Sequence, residues 1–134
     1  INPQTIIISA LQLKTQSKNY FIALAEKRTT ALAFEFIKDE DGAYPAVRSL
    51  SEIAGTASVL IASELLSNVN GGNGLMMGNI NGVPPTEIVI LGAGTVGEFA
   101  ARSAIGLGAN IKVFDNSITE ESILETIAGV LSIY

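Results

Sequence analysis

The sequence predicts an α/β fold in which a long helix joins two parallel βαβ units. Residues 5–37 show a strand, helix and strand pattern, residues 49–66 form one long helical pattern, and residues 87–115 run strand, glycine-rich turn, helix and strand before an acid. Because strands joined through a helix in one sheet run parallel, we expect parallel pairing in both units.

The first unit opens with a predicted strand over 5–13, TIIISALQL. Residues 17–27 place apolar side chains at helical spacing, with Ser17 as the predicted N-cap. Residues 30–37, TALAFEFI, alternate in part and predict the second strand. The charged stretch KDEDGAY at 38–44 contains an Asp-Gly turn, and its acids are more typical of a solvated loop than of a metal site.

The longest predicted helix covers 49–66, with Ser49 or Ser51 as its cap. Apolar and small residues cover most of its circumference, so we expect it to be buried or to pack against two bodies at once. Residues 68–85 are rich in glycine and asparagine. The length of this stretch favours a functional loop or a domain border, although a flexible linker also fits.

The glycine turn follows the apolar run at 88–91, which suits a strand buried on both faces. Gly92 can take the tight turn, Gly94 lets a pyrophosphate approach the backbone, and Gly97 lets the next helix pack against the strand. The helix predicted over 95–107 would direct its first free N–H groups at phosphates. This pattern is typical of a Rossmann-like dinucleotide-binding unit.

We expect that helix to end at Gly106 and Gly108. A second strand covers 111–114, and Asp115 follows it, 23 residues after Gly92. An interval of about 20 is the one at which an acid meets the ribose of a dinucleotide. A carboxylate accepts hydrogen bonds from ribose hydroxyls and repels a 2′-phosphate, so the sequence predicts NAD rather than NADP. The alternative is a turn of the same shape that holds no ligand.

Composition narrows the function further. The chain has 134 residues, of which 48% are hydrophobic and 16% charged, as in a globular protein. Its net charge of −5 argues against nucleic acid or an anionic membrane as a partner. No apolar run approaches the roughly 18 residues of a bilayer span, and no signal peptide is visible. The chain has no Cys, which fits the cytoplasm, and no His, the commonest acid/base near neutral pH.

Three segments together resemble the alanine dehydrogenase/pyridine nucleotide transhydrogenase family. They are the Thr-Ala-Leu-Ala-Phe-Glu run and acidic turn within 28–42, LSEIAG at 50–55, and GGNGLMMGNINGVPP with the glycine turn within 71–115. The resemblance covers about residues 5–116 and is closer to alanine dehydrogenases than to transhydrogenase α chains. Since the chain opens at Ile1 and enters a predicted strand almost at once, we expect it to be incomplete.

The resemblance implies a substrate domain and an NAD domain joined by long helices, and interconversion of L-alanine with pyruvate and ammonia. It also implies NAD as cofactor, an amino-acid or 2-oxo-acid substrate and a homo-oligomer. On this chain it implies part of the substrate domain at 1–45, a connector helix and glycine-rich loop at 46–85, and the first βαβ of the NAD domain at 86–116. Residues 117–134 predict a further helix, capped by Thr119.

The resemblance also carries residue roles. It matches Ser51 with a cofactor-contacting serine, Thr95 and Val96 with contacts of the phosphate turn, and Asp115 with the ribose acid. Gln12 stands where the family has its acid/base histidine. Glutamine forms hydrogen bonds but does not shuttle a proton, and the family's substrate-binding Arg and Lys have no counterpart here. No metal site is expected.

Several functions remain open at this point. The first possibility is that the chain is part of an alanine-dehydrogenase-like enzyme, which we expect to be inactive alone. The others are a dinucleotide-binding module that has lost catalysis, a transhydrogenase-α-like protein, and a structural remnant whose glycine turn binds no ligand. Lys14 and Lys18 could act as base or substrate clamp, although solvated lysines fit as well. Glu35 lies at the end of a predicted strand and faces either the cleft or solvent.

Overall fold

The computed structural model describes residues 1–116 and 132–133. The chain divides into two compact units, Ile1–Ser49 and Leu50–Tyr134. Each unit contains parallel strands with a helix between them in the chain, which confirms the predicted α/β class with its Rossmann-like βαβ unit.

The first unit consists of β1 (Ile6–Ser9), α1 (Lys18–Glu26) and β2 (Thr30–Ala33). β1 and β2 pair in parallel, with Ile6 opposite Thr30. Both strands are shorter than the sequence predicts. The chain leaves β2 through a 3₁₀ turn at Phe34–Phe36, and it leaves β1 through a turn in which Gln12 has a φ of 47°.

The helix caps differ from the prediction. Ser17 takes the N-cap position of α1, but its side chain makes no capping hydrogen bond. The long helix, α2, covers Pro45–Leu66, so both Ser49 and Ser51 lie inside it and neither is its cap. Ser49 Oγ instead donates to the Pro45 carbonyl oxygen at 3.0 Å. The fixed φ of proline suits the first position of a helix, and Pro45 was the signal for the true start.

The second unit receives the rest of α2, followed by a 3₁₀ turn at Asn68–Asn70, β3 (Glu87–Leu91), α3 (Thr95–Gly106), β4 (Asn110–Phe114) and β5 (Ser132–Ile133). The three strands pair in parallel with β4 in the middle. Most of the helix predicted over 119–134 falls outside the described residues. At Ser132–Ile133 the prediction is wrong, because these residues form a strand.

The buried core of the second unit lies between α3 and the sheet. The alanines of α3 allow the helix axis to approach the strands closely, and β4 contributes the buried aliphatic side chains of Ile111 and Val113. Each fully buried aliphatic side chain is worth about 1.5–3 kcal/mol relative to exposure. The core residues are Val59, Ala93, Ala100, Ala101, Ala104, Ala109, Ile111 and Val113, with Ile88 and Ile90 packed against them.

α2 is mostly exposed, so of the two predicted alternatives the buried helix is wrong for this chain, and packing against two bodies stays a prediction. Its buried residues are Gly55 and Val59, while Ile53 is 65% exposed and Leu65 63%. Among the described residues α2 is the one helix whose length and mean hydropathy, 1.2, would allow it to cross a bilayer. The search of the sequence for an unbroken apolar run of roughly 18 residues did not identify this helix, because scattered polar residues interrupt it. A single helix of this composition is weak evidence of a membrane span, since core helices share it.

Candidate nucleotide-binding site

The turn after β3 depends on glycine at its first position. Gly92 has a φ of 104°, a conformation that residues with a side chain rarely adopt. Its N–H donates to the Phe114 carbonyl oxygen at 2.7 Å, which extends the β3–β4 ladder into the turn. Gly92 therefore ends the strand and turns the chain toward α3.

Gly97 brings the first turn of α3 against this glycine turn. A Cβ at position 97 would overlap the carbonyl oxygen of Gly92 and lie 3.6 Å from Ile90 Cγ2. The close packing of helix on strand that the sequence predicts at Gly97 is therefore present. It places the start of α3 directly after the carboxyl end of β3.

Gly94 is the N-cap of α3, and an added Cβ there would meet no atom within 4 Å. The backbone at Gly94 therefore borders open space. The next residues, Thr95 and Val96, begin a helix whose first N–H groups have no acceptor within the helix. Such N–H groups, together with the helix dipole, favour an anion at this position.

Asp115 reaches the same turn from the end of β4. Its Oδ2 accepts a hydrogen bond from the backbone N–H of Ala93 at 2.5 Å. Ala93 is 4% exposed, and Asp115 is half-buried. The acid that the spacing assigns to the ribose thus contacts the glycine turn itself.

A cavity of about 520 Å³ adjoins the turn, within the second unit. Ser51 and Ser58 of α2 line it on one side, and the glycine turn with the first residues of α3 lines it on another. The structure therefore places Ser51 and the turn beside one cavity, although Ser51 lies 41 positions from Gly92 along the chain. The full lining is Ser51, Ser58, Val59, Ala62, Met77, Ile88, Val89, Ile90, Leu91, Gly92, Gly94, Thr95, Val96, Gly97 and Ala100.

Met77 is a lining residue for which sequence reasoning proposed no role. It is 5% exposed, although it lies in the glycine- and asparagine-rich stretch. Next to it, the carbonyl oxygen of Met76 accepts a hydrogen bond from Thr86 Oγ1 at 2.5 Å, which ties this part of the loop to the residue before β3. Apolar residues inside an otherwise polar loop were the signal that part of this loop is buried.

An ion pair lies on the first turn of α3. Glu98 is held by Arg102, four residues on, with 2.7 Å between Oε1 and the nearer guanidinium nitrogen. The Arg102 guanidinium also lies 5.7 Å from the centre of the Phe99 ring. Arg102 offsets a carboxylate that would otherwise oppose an anion at the start of the helix.

In the first unit the structure brings Gln12 and Glu35 together. The backbone N–H of Gln12 donates to Glu35 Oε1 at 2.8 Å, and its carbonyl oxygen accepts from the N–H and Oγ1 of Thr15. Glu35 Oε2 is buried with no hydrogen-bond partner. Lys14 and Lys18 are exposed. No group of acids that could hold a metal ion is present in residues 1–116.

Comparison with known proteins shows the family. Residues 58–133 match the family model described as alanine dehydrogenase/PNT, C-terminal domain. The chain is 43% identical to an alanine dehydrogenase of Mycolicibacterium smegmatis over 96 aligned residues. These residues make up 72% of this chain and 26% of that protein.

Solved structures agree with this match. A structure of an L-alanine dehydrogenase superposes on 99% of this chain with a TM-score of 0.87 and 32% identity, and 37% of that chain is covered. A transhydrogenase from Sinorhizobium meliloti superposes on 96% of this chain with a TM-score of 0.73, covering 36% of that chain; at 21% identity this shows a shared fold.

This chain is thus much shorter than these relatives, matching 26% of the curated protein and 37% of the solved one. The family model nevertheless covers more than half of its 134 residues. The chain therefore belongs to the alanine dehydrogenase/PNT family.

Proposed function

We propose that this chain is part of an NAD-dependent alanine dehydrogenase, which converts L-alanine, water and NAD to pyruvate, ammonia and NADH. The observation that carries the proposal is the glycine turn with Asp115 bound to it, beside a cavity that Ser51 also lines. Relatives named alanine dehydrogenase support the choice of reaction.

The residues around the turn fit a dinucleotide. The open space at Gly94 admits a pyrophosphate close to the backbone, and a side chain there would narrow that approach. The N–H groups at the start of α3, from Thr95 and Val96 onward, would bind its oxygens. When bound, NAD would accept the hydride from the substrate Cα. The protein's part is to orient the cofactor and to exclude water.

Asp115 would set the cofactor preference. Its carboxylate would accept hydrogen bonds from the adenosine ribose hydroxyls and repel the 2′-phosphate of NADP. Asn116 follows it, so no arginine stands next in sequence to neutralise such a phosphate. We therefore propose NAD as the cofactor.

A second function is a dinucleotide-binding module without catalysis, and the first unit favours it. Gln12 is exposed and carries an amide, which accepts and donates hydrogen bonds but does not transfer a proton. The carboxylate of Glu35 contacts Gln12 by accepting a hydrogen bond from its backbone N–H group, not from its side-chain amide. Under this alternative the chain would bind NADH, and the longer protein of which we propose it is part would form no NADH from L-alanine and NAD.

We also propose that the protein is a cytoplasmic homo-oligomer. The exposed apolar residues of α2, such as Ile53, Leu60 and Leu65, would be covered by another copy. Sedimentation velocity over a range of concentrations tests this: a species at the mass of one chain throughout would refute association.

Titration of the chain with NADH, followed by nicotinamide fluorescence, tests the nucleotide site. We expect saturable binding, tighter for NADH than for NADPH, and a loss of this preference in Asp115→Ala. Asp41→Ala, which removes an exposed carboxylate from the first unit, is the matched control and should leave both affinities unchanged. Equal affinity for the two cofactors in the unaltered chain would refute the proposed role of Asp115. A chain that binds neither would refute cofactor binding by this chain.

A further inference from the structure

Two consecutive N–H groups of the glycine turn donate hydrogen bonds to two consecutive residues at the end of β4. Gly92 N–H donates to the Phe114 carbonyl oxygen at 2.7 Å, and Ala93 N–H donates to Asp115 Oδ2 at 2.5 Å. The β3–β4 ladder pairs Leu91 with Phe114 as its last register pair. A side-chain oxygen thus continues the ladder by one bond where the two backbones diverge.

This bond matters because the donor is buried. Ala93 is 4% exposed and belongs to the core cluster, so water has little access to its N–H group. A buried donor without an acceptor costs about 1–3 kcal/mol, and a charged acceptor forms one of the stronger hydrogen bonds. The carboxylate of Asp115 therefore supplies the acceptor that this buried donor of the turn between β3 and α3 needs.

We propose that Asp115 is a positioning residue that holds the glycine turn in its anion-binding conformation before any nucleotide is present. A carboxylate offers about four acceptor positions, so it can hold Ala93 and also accept from a ribose hydroxyl. The ribose contact rests on the proposed function, whereas the positioning of the turn does not. The two roles together couple the phosphate site to the ribose site through one side chain.

Amide hydrogen exchange in the ligand-free chain tests the positioning role by itself. In Asp115→Ala we expect the Ala93 amide to exchange roughly ten- to hundredfold faster, the factor for losing a charge-assisted hydrogen bond. In Asp115→Asn, whose side-chain oxygen still accepts, most of the protection should remain. The Val113 amide reports whether the sheet is intact, and Asp41→Ala is the control for the loss of a carboxylate.

Unchanged exchange at Ala93 in Asp115→Ala, with Val113 still protected, would overturn the proposal. If the alanine variant loses protection at Val113 as well, the asparagine variant decides. Protection of Ala93 in that variant supports the proposal, and full loss of it in an intact sheet overturns it. Neither outcome depends on whether the chain binds NADH.

Inorganic pyrophosphate, which has no ribose, separates the two roles in binding. If Asp115 only repelled anions and contacted ribose, its replacement by alanine would strengthen pyrophosphate binding, because a negative charge is removed. If it positions the turn, Asp115→Ala weakens pyrophosphate binding by calorimetry, while Asp115→Asn does not. Stronger binding by Asp115→Ala would overturn the proposal. Binding of pyrophosphate without binding of NADH would refute the proposed function and leave the positioning role standing.

Discussion

A side chain at Gly97 would overlap the carbonyl oxygen of Gly92, so the first turn of α3 rests directly on the glycine turn. The two glycines are five positions apart in sequence. The contact is between backbones, and neither can move without displacing the helix or the strand end. This relationship allows a direct test of how tightly the turn is built.

Gly97→Ala should destabilise the chain by about 3 kcal/mol, the upper range for overpacking a tight site, because the clash involves backbone rather than a flexible side chain. Urea denaturation measures the free energy of unfolding. Gly106→Ala, in the same helix, is the matched control, since its Cβ would meet nothing within 4 Å. Because Gly106 is the last residue of α3, that variant should be neutral or gain up to about 0.5 kcal/mol. Equal effects of the two substitutions would contradict the contact.

The crossing of α2 over α3 within the second unit depends on Gly55. An added Cβ would lie 2.9 Å from Phe99 Cβ and 3.0 Å from the Ala100 nitrogen, and would overlap the Val96 carbonyl oxygen. Gly55→Ala should therefore cost about 1–3 kcal/mol in unfolding free energy, although alanine is the better helix former.

The neighbouring Thr56 provides the control for Gly55. Thr56 is exposed in the same helix, and Thr56→Ala should be neutral or slightly stabilising because alanine has the higher helix propensity. Thermal denaturation of both variants, monitored by far-UV circular dichroism, makes the comparison. A stabilised Gly55→Ala chain would show that the two helices do not cross this closely in solution.

Arg102→Met should weaken NADH binding roughly two- to fivefold, because Glu98 would then carry an uncompensated charge beside the proposed phosphate site. The pair is only partly screened, since the Glu98 side chain is 14% exposed. Fluorescence titration at low and high salt measures the effect, which should shrink as salt rises. Lys14→Met removes a cation from the first unit and should leave NADH affinity unchanged. An Arg102→Met chain with unaltered affinity would place the phosphates away from Glu98.

The ion pair between Lys112 and Glu87 links β4 to β3 across the sheet, with 2.7 Å between Nζ and Oε2. Both side chains are well exposed, at 37% and 55%. Glu87→Gln should therefore lower the unfolding free energy by no more than about 1 kcal/mol. At about 1 M salt, where screening acts over roughly 3 Å, the difference should nearly vanish. A loss that persists in high salt would mean that Glu87 stabilises the sheet by means other than charge.

Local chemistry in the sequence was sufficient for the elements of the second βαβ unit. The predicted burial of β3 on both faces is wrong, because Val89 is 53% exposed and Leu91 82%. Glycine at positions 92 and 97 is required by a positive φ and by a backbone contact, and both requirements are local. The predicted strand at 88–91 and helix at 95–107 differ from the observed ones by a single residue at one end. Short-range patterns succeed here because each element packs on its neighbour in the chain.

The first unit shows where such patterns fail. The predicted strand at 5–13 ends at Ser9, because Gln12 adopts a left-handed backbone that Glu35 holds through a hydrogen bond. The two residues are 23 positions apart. No local pattern around Gln12 reveals that an acid from the 3₁₀ turn after β2 will accept its N–H group.

The sequence by itself determined the order of elements, the parallel pairing, the glycine turn and the spacing of its acid, because these depend on residue type and short intervals. Only the tertiary structure decided which distant groups meet: Ser51 and Met77 beside one cavity, and the Ala93 N–H on the carboxylate of Asp115. The cavity depends on how a long helix and a loop pack against the sheet, and the hydrogen bond depends on how the glycine turn meets the end of β4. The free energy of that packing comes from many buried surfaces together, so no single segment encodes it.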